Sequence, residues 1–383
     1  MGTENSERRK IEQLTADLQS IYADYGYSQF RIRKFEEYEL YVRNKDFLDS
    51  VNIITFTDTN GKLMALKPDV TLSIVKNSRD VPGTVQKVYY NENIYRVSHR
   101  SHMFEELMQV GIECIGDLDY YCFYEVIMLA AKTLRRFSED SILVVSDMDI
   151  LKAIFDGYDV GEDVRRDLVR CLGEKNRHTL SMICEENDVD PACARLLSRM
   201  ATVYGRPDEV LPRLLAMMKD EGIPEDTVDA ARQAAENLLQ ILDVFDDPKL
   251  QDLIRIDFSV VSDVNYYNGI VFNGFVEGLP ECVISGGQYD RLMQKMKKRS
   301  RAIGFGVYMD RAARLFPAEK PYDVDVLLLY GDDTELTEVR KSVDRLVADG
   351  NSVLAQRSAP EKIRCRTKME IRDGEVKTIE TDD

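Results

Sequence analysis

Residues 89–116, YYNENIYRVSHRSHMFEELMQVGIECIG, decide how the rest of the chain is arranged. Residues 88–96 are rich in β-branched and aromatic side chains, which is typical of a strand. Residues 98–106 are charged and polar, and they are predicted to be a loop. Residues 107–115 alternate with a period of two, which predicts a second strand with one face on the core. The stretch is therefore predicted to be a β-hairpin.

This hairpin presents a cation, an amide and a carboxylate from paired strands, namely Arg96, Gln109 and Glu113. Gln109 and Glu113 are four residues apart, so in a strand their side chains point to the same side, about 13 Å apart. Such a set suits a small polar ligand better than a protein interior, where an unpaired charge is costly. The alternative is the solvated face of a half-buried antiparallel sheet, for which this alternation is ordinary. Spacing alone leaves both interpretations open.

The hairpin resembles motif 2 of the class II aminoacyl-tRNA synthetases, in the form found in histidyl-tRNA synthetase and its relatives. Arg96 matches the arginine of that motif, and Gln109, Glu113 and the pair Gly116-Asp117 match the histidyl pattern. The resemblance implies an α+β fold, with a class II synthetase-like antiparallel sheet flanked by helices. It also implies a helical insertion and a small truncated α/β C-terminal domain.

Composition indicates a globular protein that is large enough for more than one domain. The chain has 383 residues, of which 44% are hydrophobic and 31% charged, and its formal net charge is −17. Nucleic-acid binders usually carry a basic footprint, so this balance argues against a tRNA partner. The sequence has no long apolar run and no signal-peptide pattern, which favours a cytoplasmic protein without membrane contact. The seven scattered cysteines are expected to be free thiols rather than zinc ligands.

The N-terminal region is predicted to be a helix followed by an extended segment. Residues 6–25 place apolar side chains at helical spacing, and residues 27–39 are predicted to enter the sheet. Phe30, Ile32 and Phe35 are the expected core-facing residues of that extended segment. A helix followed by a long strand resembles motif 1 of the class II synthetases, which implies a homodimer formed through the synthetase-like core.

Residues 53–66 are predicted to be a hairpin that turns at Asn60-Gly61. The segment 67–71, KPDVT, resembles the Arg-Pro-Glu-x-Thr segment whose acid and threonine receive the histidine amino group in histidyl-tRNA synthetase. The matching residues here are Asp69 and Thr71. A carboxylate paired with a hydroxyl suits an ammonium group. The same two residues can also cap the helix that follows, and the two roles are compatible.

The middle of the chain is predicted to be mainly helical. Residues 119–137 form a predicted helix with a buried apolar stripe, and residues 142–146 a short strand. Residues 148–246 contain repeated amphipathic segments interrupted by glycine and proline. We interpret residues 148–246 as an all-helical insertion into a core made of residues 1–147 and 247–320.

The next segment contains a departure from the family pattern. Residues 254–261 alternate like a strand, and after a turn the chain resembles the histidyl-specific Arg-Gly-Leu-Asp-Tyr-Tyr-x-Gly-x-Val-Phe. Tyr266 and Tyr267 match the two tyrosines, whereas Ser262 stands at the position of the arginine. In the synthetase that arginine supports adenylate formation. Its loss removes positive charge from the developing α-phosphoryl centre, where electrostatic stabilisation is usually the largest catalytic contribution.

Two later segments resemble further parts of the family pattern. Residues 285–291, SGGQYDR, are similar to Gly-Gly-Arg-Tyr-Asp and are predicted to form the floor of an amino-acid pocket, although a turn explains the two glycines equally well. Residues 302–311 resemble motif 3, a strand leading into a helix that ends in an ATP-binding arginine, here Arg311. Tyr308 stands at a glycine position of that motif, and its phenol is expected to crowd the ATP site.

Residues 321–383 are predicted to form a small α/β domain. The predicted order is a strand, a helix, a second strand and a hairpin that turns at Asp373-Gly374. This part resembles the start of the synthetase's anticodon-binding domain, but it ends early and is acidic at its terminus. Such a module is not expected to read tRNA.

Taken together, the residues that match and those that differ resemble the synthetase-derived regulatory subunits of ATP phosphoribosyltransferase, the first enzyme of histidine biosynthesis. The resemblance implies a protein with no catalytic residues, cofactor or metal of its own. It implies assembly with a short-form catalytic subunit, activation of that subunit, and inhibition by histidine as the ligand. The expected histidine-binding residues are Asp69, Thr71, Arg96, Gln109, Glu113, Tyr266 and Tyr267, and the expected vestigial nucleotide site is Ser262, Tyr308 and Arg311.

Two other functions stay open at this point. One is an active histidyl-tRNA synthetase or another amino-acid-adenylating enzyme, against which Ser262 is the main sequence feature. The other is a structural dimer module whose pocket is a relic. The position of a histidine effector site, in the pocket or at a subunit interface, is also left open.

Overall fold

The structure is a computed structural model. It describes residues 2–48, 53–98, 101–261, 267–316, 322–360, 362–372 and 374–381. The chain divides into two compact units. The larger unit is Thr15–Leu315, and the smaller one combines Met1–Leu14 with Phe316–Asp383. All the residues predicted to bind histidine belong to the larger unit. The finer division into core, insertion and C-terminal domain stays a prediction.

The strands of the described residues, in chain order, are β1 Ser28–Gln29, β2 Phe35–Glu37, β3 Thr55–Thr57, β4 Leu63–Leu66, β5 Val85–Val97, β6 Phe104–Gly116, β7 Ser141–Asp147, β8 Tyr204–Gly205, β9 Ile254–Asp257, β10 Ile270–Val276, β11 Ile284–Gln288, β12 Arg301–Tyr308, β13 Val324–Leu329, β14 Val353–Gln356, β15 Cys365–Arg372 and β16 Glu375–Thr381.

The helices of the described residues are α1 Gly2–Asp24, α2 Tyr38–Arg43, α3 Thr71–Asn77, α4 Tyr120–Phe137, α5 Met148–Gly157, α6 Glu162–Gly173, α7 Arg177–Glu186, α8 Pro191–Met200, α9 Pro207–Asp220, α10 Glu225–Leu242, α11 Pro248–Gln251, α12 Asp290–Lys295, α13 Met309–Ala312 and α14 Leu336–Ala348. Short 3₁₀ turns occupy Lys45–Phe47 and Ala313–Leu315. In the part of the chain that the structure describes, no helix is both long enough and apolar enough to span a membrane.

The larger unit is built on a sheet of nine strands in the order β1-β5-β6-β12-β11-β10-β7-β9-β8. Its five central pairings, from β5-β6 to β10-β7, are all antiparallel. Within the described part of this sheet, the parallel pairs lie nearer the edges, between β1 and β5 and between β7 and β9. Helix α4 packs on this sheet through its apolar stripe, which is buried as predicted. The predicted α+β fold with a central antiparallel sheet and flanking helices is confirmed.

The predicted central hairpin is present as β5 and β6, and it differs from the prediction in two ways. First, β6 begins at Phe104, inside the predicted loop, because Arg96 pairs with Glu105 and Val97 with Phe104. Second, β6 was expected to bury one face, but both faces are buried from Val110 to Gly116. The cause is its central position in the sheet, where α4 covers one face and side chains of the same unit cover the other.

The predicted extended segment 27–39 is divided between two sheets. Strand β1 joins the large sheet, whereas β2 belongs to a separate three-stranded sheet in the order β2-β4-β3. Phe30 and Ile32 pack against the core as expected. The expectation for Phe35 was wrong, because its side chain is 48% exposed and its ring meets that of Phe56 at 5.8 Å. The predicted hairpin that contributes β3 and β4 is present.

Two predictions further along the chain were also wrong. Residues 254–261 are not one strand, because Asp257 ends β9 when its Oδ1 accepts the backbone N–H of Ser259. The segment 148–246 is not all helical, because β8 pairs with β9 at the edge of the large sheet. Helices α5 to α10 account for most of that segment.

In the smaller unit, β13 to β16 form a four-stranded sheet in the order β14-β13-β15-β16. Its core contains Val326, Leu328, Val339 and Ile371. The order of strand, helix, strand and hairpin agrees with the sequence prediction. Asp373, one of the two predicted turn residues, lies outside the described residues.

Candidate functional site

A cavity of about 400 Å³ lies against the sheet in the larger unit, where β5, β6, β11 and β12 are neighbours. This volume suits a small-molecule ligand. Among its lining residues are six that the sequence predicted: Asp69, Thr71, Arg96, Gln109, Glu113 and Tyr267. The other two positions that the sequence singled out near Tyr267, Ser262 and Tyr266, lie outside the described residues.

Strand register explains why residues from distant parts of the chain meet here. Gln109 and Glu113 share a face of β6, and Gly111 lies between them. Across one side of β6, Tyr90 of β5 pairs with Gly111, so its side chain joins the same face. Across the other side, Tyr308 of β12 pairs with Gln109. Both tyrosines line the cavity.

Glycines in β12 leave the room that the acid and the amide occupy. Gly304 pairs directly with Glu113, and a Cβ on Gly304 would overlap Glu113 Oε2. A Cβ on Gly306 would likewise overlap Gln109 Nε2. Side chains at these two positions would therefore displace the polar groups from the cavity wall.

Glu113 is the most deeply buried acid of the cavity, with 2% of its surface exposed. The hydroxyl of Thr71 donates to its Oε1 at 2.7 Å, and the hydroxyl of Tyr289 donates to its Oε2 at 2.7 Å. Burial raises the pKa of Glu113 to about 8, even though both hydrogen bonds oppose the shift. This carboxyl group therefore titrates close to neutral pH.

Asp69 has a different set of contacts from those the sequence suggested. Thr71 was expected to pair with Asp69 around an ammonium group, but its hydroxyl donates to Glu113 instead. Asp69 Oδ1 accepts the backbone N–H of Leu72 at 2.8 Å, so the capping role is fulfilled. Burial raises the pKa of Asp69, while that N–H and the positive charge of Arg96 lower it.

Arg96 provides the positive charge of the cavity. Its Nε donates to the carbonyl oxygen of Pro68 at 3.0 Å, which ties the guanidinium to the segment that carries Asp69. The cavity wall therefore contains a cation and an acid on segments that this hydrogen bond joins, and Glu113 lines the same cavity. Opposite charges on one wall suit a ligand that is a zwitterion.

The two remaining predicted nucleotide-site residues have different positions. Tyr308 lines the cavity that contains the predicted amino-acid-binding residues. Burial raises the pKa of its phenol. Arg311 does not line the cavity that the described residues form. Its guanidinium carbon lies 4.2 Å from the ring centre of Tyr308, and its NH1 donates to the carbonyl oxygen of Cys282 at 2.6 Å. Its Nε lies 3.3 Å from Glu281 Oε2.

Several lining residues were not predicted. Tyr289 donates a hydrogen bond to Glu113. It belongs to the segment that was predicted as the pocket floor, but that prediction was based on the two glycines of the segment. Those glycines, Gly286 and Gly287, lie within β11 and not in a turn, so the turn interpretation was wrong. Tyr90 was missed because only the pairing of β5 with β6 shows that it shares the face of Glu113.

Comparison with curated proteins finds relatives that share one name. An ATP phosphoribosyltransferase regulatory subunit of Alkaliphilus metalliredigens is 26% identical over 353 residues, which cover 90% of this chain and 86% of that protein. A protein of the same name from Oceanobacillus iheyensis is 23% identical over 319 residues, covering 82% of this chain and 76% of that protein.

Solved structures share the fold. A protein from Bacillus halodurans described as an ATP phosphoribosyltransferase regulatory subunit/histidyl-tRNA synthetase superposes with a TM-score of 0.77 at 21% identity, covering 94% of each chain. A histidyl-tRNA synthetase from Nostoc sp. superposes with a TM-score of 0.72 at 16% identity, covering 98% of this chain and 94% of its own.

The family model described as histidyl-tRNA synthetase matches residues 3–312, which is most of the chain and includes every residue that lines the cavity. The chain therefore belongs to the histidyl-tRNA synthetase family.

Proposed function

We propose that this chain is a regulatory subunit of ATP phosphoribosyltransferase that has no catalysis of its own. In this role it assembles with a short-form catalytic subunit, activates that subunit and mediates its inhibition by histidine. The curated relatives described above carry the name of such a subunit, which supports this assignment within the family.

The observation that carries the proposal is the engagement of Arg311. In the family pattern this arginine binds ATP, but here its NH1 is held by the carbonyl oxygen of Cys282 and its guanidinium stacks on Tyr308. Glu281 adds a carboxylate at 3.3 Å. A guanidinium with these partners must break charge-assisted contacts before it can bind a phosphate. This arrangement supports a protein that keeps an amino-acid cavity and has lost adenylation.

Histidine fits the chemistry of the cavity. Asp69 offers a carboxylate for the ligand ammonium group, and Arg96 offers a guanidinium for the ligand carboxylate. Gln109 and Glu113 lie further along the same wall and offer polar groups for an imidazole ring. An amino acid with a polar ring therefore finds a partner for each of its three polar groups.

Binding in this cavity regulates the assembly only if histidine has different affinities for its active and inhibited states. The cavity is walled by strands of the central sheet and by the segment before α3, so a bound ligand links parts of the chain that are far apart in sequence. We propose that histidine stabilises the inhibited arrangement through this link.

We also propose a homodimer formed through the synthetase-like core. The small sheet exposes three large apolar side chains, Phe35, Phe56 and Leu63, which are 48%, 39% and 46% exposed. An apolar patch of this kind is typical of a protein–protein contact. One of the three, Phe35, belongs to the segment that resembles motif 1, which supports the same contact.

Reconstitution with a purified short-form catalytic subunit from the same source tests the function. Adding this chain is expected to raise the rate of phosphoribosyl-ATP formation by at least about tenfold, equivalent to about 1.4 kcal/mol of activation free energy. Histidine is expected to inhibit the mixture and to leave the catalytic subunit alone unaffected.

The control reaction is histidine-dependent ATP–pyrophosphate exchange by this chain alone, for which no activity above background is expected. Exchange activity would instead establish the adenylating alternative. A mixture whose rate equals that of the catalytic subunit alone would contradict the regulatory assignment.

A further inference from the structure

Another cavity, of about 670 Å³, lies between the end of α1, the last two turns of α4 and the short helix α11. Its volume is within the range found for small-molecule sites. None of its lining residues lines the first cavity, as far as the described residues show. All of them belong to Thr15–Leu315, so the cavity is contained in the larger unit.

The wall of this cavity is basic, although the chain as a whole is acidic. Four cations line it: Lys132, Arg135, Arg136 and Lys249. The carboxylates of Asp24 and Asp247 line it as well, so the wall has an excess of two positive charges. The whole chain has 68 acidic residues and only 51 lysines and arginines. Positive charge is therefore concentrated here, which favours an anionic occupant.

The charged groups of this wall are open to an occupant. Within the described residues, none of the four cations forms an ion pair. Arg136 and Lys249 are exposed, and their side chains make no hydrogen bond in the same part of the chain. The half-buried Lys132 and Arg135 have neutral partners, namely the phenol oxygen of Tyr25 at 2.5 Å and a backbone carbonyl oxygen at 2.7 Å. Both keep further donors, because an ammonium group has three N–H groups and a guanidinium five.

The dipole of α4 explains only part of this arrangement. Cations in the last turn of a helix interact favourably with its C-terminal carbonyl groups, which accounts for Arg135 and Arg136. Lys132 lies one turn earlier, and Lys249 belongs to another helix. Because Lys132 is three and four residues before the two arginines, the three cations share one face of α4, where like charges repel each other. An anion bound beside them would offset that repulsion.

Packing between the helices holds the walls of the cavity in place. The buried hydroxyls of Tyr22 in α1 and Thr133 in α4 are hydrogen-bonded at 2.9 Å. The ring of Tyr124 in α4 meets that of Phe245, which lies just before α11, at 5.1 Å between ring centres. The three elements that carry the cations are therefore joined before any ligand binds, which lowers the entropy cost of binding.

The donors and the neighbouring surface decide which kind of anion fits. Lysine and arginine N–H groups match phosphate oxygens, and arginine does so with a planar fork. A phosphate monoester carries close to two negative charges at neutral pH, which balances the excess on the wall. Ile21 and Tyr25 also line the cavity, and both are half-buried, so their side chains offer surface to an organic body. The lining therefore suits an organic phosphate better than an anion with a single charge.

We infer that this cavity binds a phosphate monoester of a small organic molecule. Lys132, Arg136 and Lys249 hold the phosphate group, and the organic body lies against Ile21 and Tyr25. This site is independent of what the first cavity binds, so it stands or fails separately from the proposed regulatory function.

The test uses phenyl phosphate as the probe on the full chain, with binding measured by calorimetry and ligand-observed NMR. Phenyl sulfate has nearly the same shape and a single charge, and inorganic phosphate has the charge without the organic body. Phenyl phosphate is expected to bind saturably, and each of the other two at least about tenfold more weakly. Raising the ionic strength is expected to weaken its binding, because the cations are accessible to solvent.

The double variant Arg136→Gln with Lys249→Gln is expected to weaken binding of phenyl phosphate at least about tenfold. Neither side chain makes a hydrogen bond or ion pair in the described part of the chain, so the fold is expected to be unchanged. Arg345→Gln with Lys219→Gln is the matched control. These two exposed cations lie in the last turns of α14 and α9, they form no ion pair among the described residues, and they line neither cavity.

The control variant loses the same net charge and is expected to bind phenyl phosphate like the unaltered chain. Three results would each overturn the inference: no saturable binding of phenyl phosphate, equal binding of phenyl sulfate or of inorganic phosphate, or equal losses in the two double variants. Binding of an aspartate-rich peptide in place of phenyl phosphate would overturn it in favour of a protein partner.

Discussion

Replacing Lys67 by methionine is expected to lower the free energy of unfolding by about 3 kcal/mol, because it leaves a largely buried carboxylate without its cation. The Lys67 side chain is fully buried, and its Nζ lies 2.8 Å from Glu92 Oε2, whose side chain is 17% exposed. Glu92 Oε1 accepts the backbone N–H of Ile32 at 3.1 Å. Methionine keeps the length of the side chain, so the lost charge is the main change.

Urea unfolding followed by circular dichroism measures this loss. Lys62→Met is the matched control, because Lys62 pairs with Glu37 on the surface, where both side chains are about half exposed. An exposed pair of this kind contributes less than about 1 kcal/mol. The double variant Lys67→Met with Glu92→Gln is expected to recover most of the stability, since no unpaired charge remains. If Lys67→Met is as stable as Lys62→Met, the buried pair of Lys67 and Glu92 does not contribute the expected stability.

Glu113→Gln is expected to change the pH dependence of stability. The pKa of Glu113 is about 8 in the folded chain and 4.5 as its ordinary value, so between these pH values the folded state holds a proton that the unfolded state has released. The unfolding free energy contributed by this group therefore falls as pH rises from about 5 to about 8. Glutamine does not titrate. Relative to the unaltered chain, the variant should gain about 3 to 5 kcal/mol between pH 5 and pH 9.

Urea unfolding of both proteins at pH 5, 7 and 9 isolates this effect, because the other titrating groups cancel in the difference between the two. Glu106→Gln is the control, since Glu106 is exposed and its pKa is lowered by hydrogen bonds from Asn93 and Tyr95. Its difference from the unaltered chain should stay nearly constant over the same pH range. A difference for Glu113→Gln that does not depend on pH would show that this carboxyl group titrates normally.

The part of the site that the sequence predicted comes from local patterns. Alternation in β6 placed Gln109 and Glu113 on one face, which needs only the period of a strand. Asp69 and Thr71, at the start of α3, were identified from the resemblance of residues 67–71 to a family segment. Both signals lie within a few consecutive residues, so neither depends on tertiary contacts.

The contacts of the site that the sequence did not predict join residues that are far apart in sequence. The hydrogen bond from Tyr289 to Glu113 joins residues 176 positions apart, and no local pattern fixes it. The pairing of β12 with β6 likewise brings Tyr308 beside Gln109. Arg311 was identified by its motif, but its contacts with Cys282 and Glu281 are tertiary.

The same limit explains the wrong strand at 254–261. Apolar alternation favoured a continued strand, but the backbone N–H of Ser259 donates to Asp257 Oδ1, and this local hydrogen bond competes with sheet pairing and ends the strand. Phe35 was predicted to face the core from its spacing, yet the chain leaves the large sheet before it and joins the small one. Spacing alone did not show which sheet a residue joins.

Calorimetric titration of histidine into the chain, alone and with its catalytic subunit, tests the central claim most directly. The account predicts saturable binding that Asp69→Asn weakens at least tenfold, because asparagine keeps the contact with Leu72 and removes the charge that faces the ammonium group. Asp190→Asn should leave histidine binding unchanged, because Asp190 also caps a helix, through the backbone N–H of Ala192 at the start of α8, but does not line the cavity. Absence of saturable binding in both preparations, or binding that Asp69→Asn does not alter, would contradict the account.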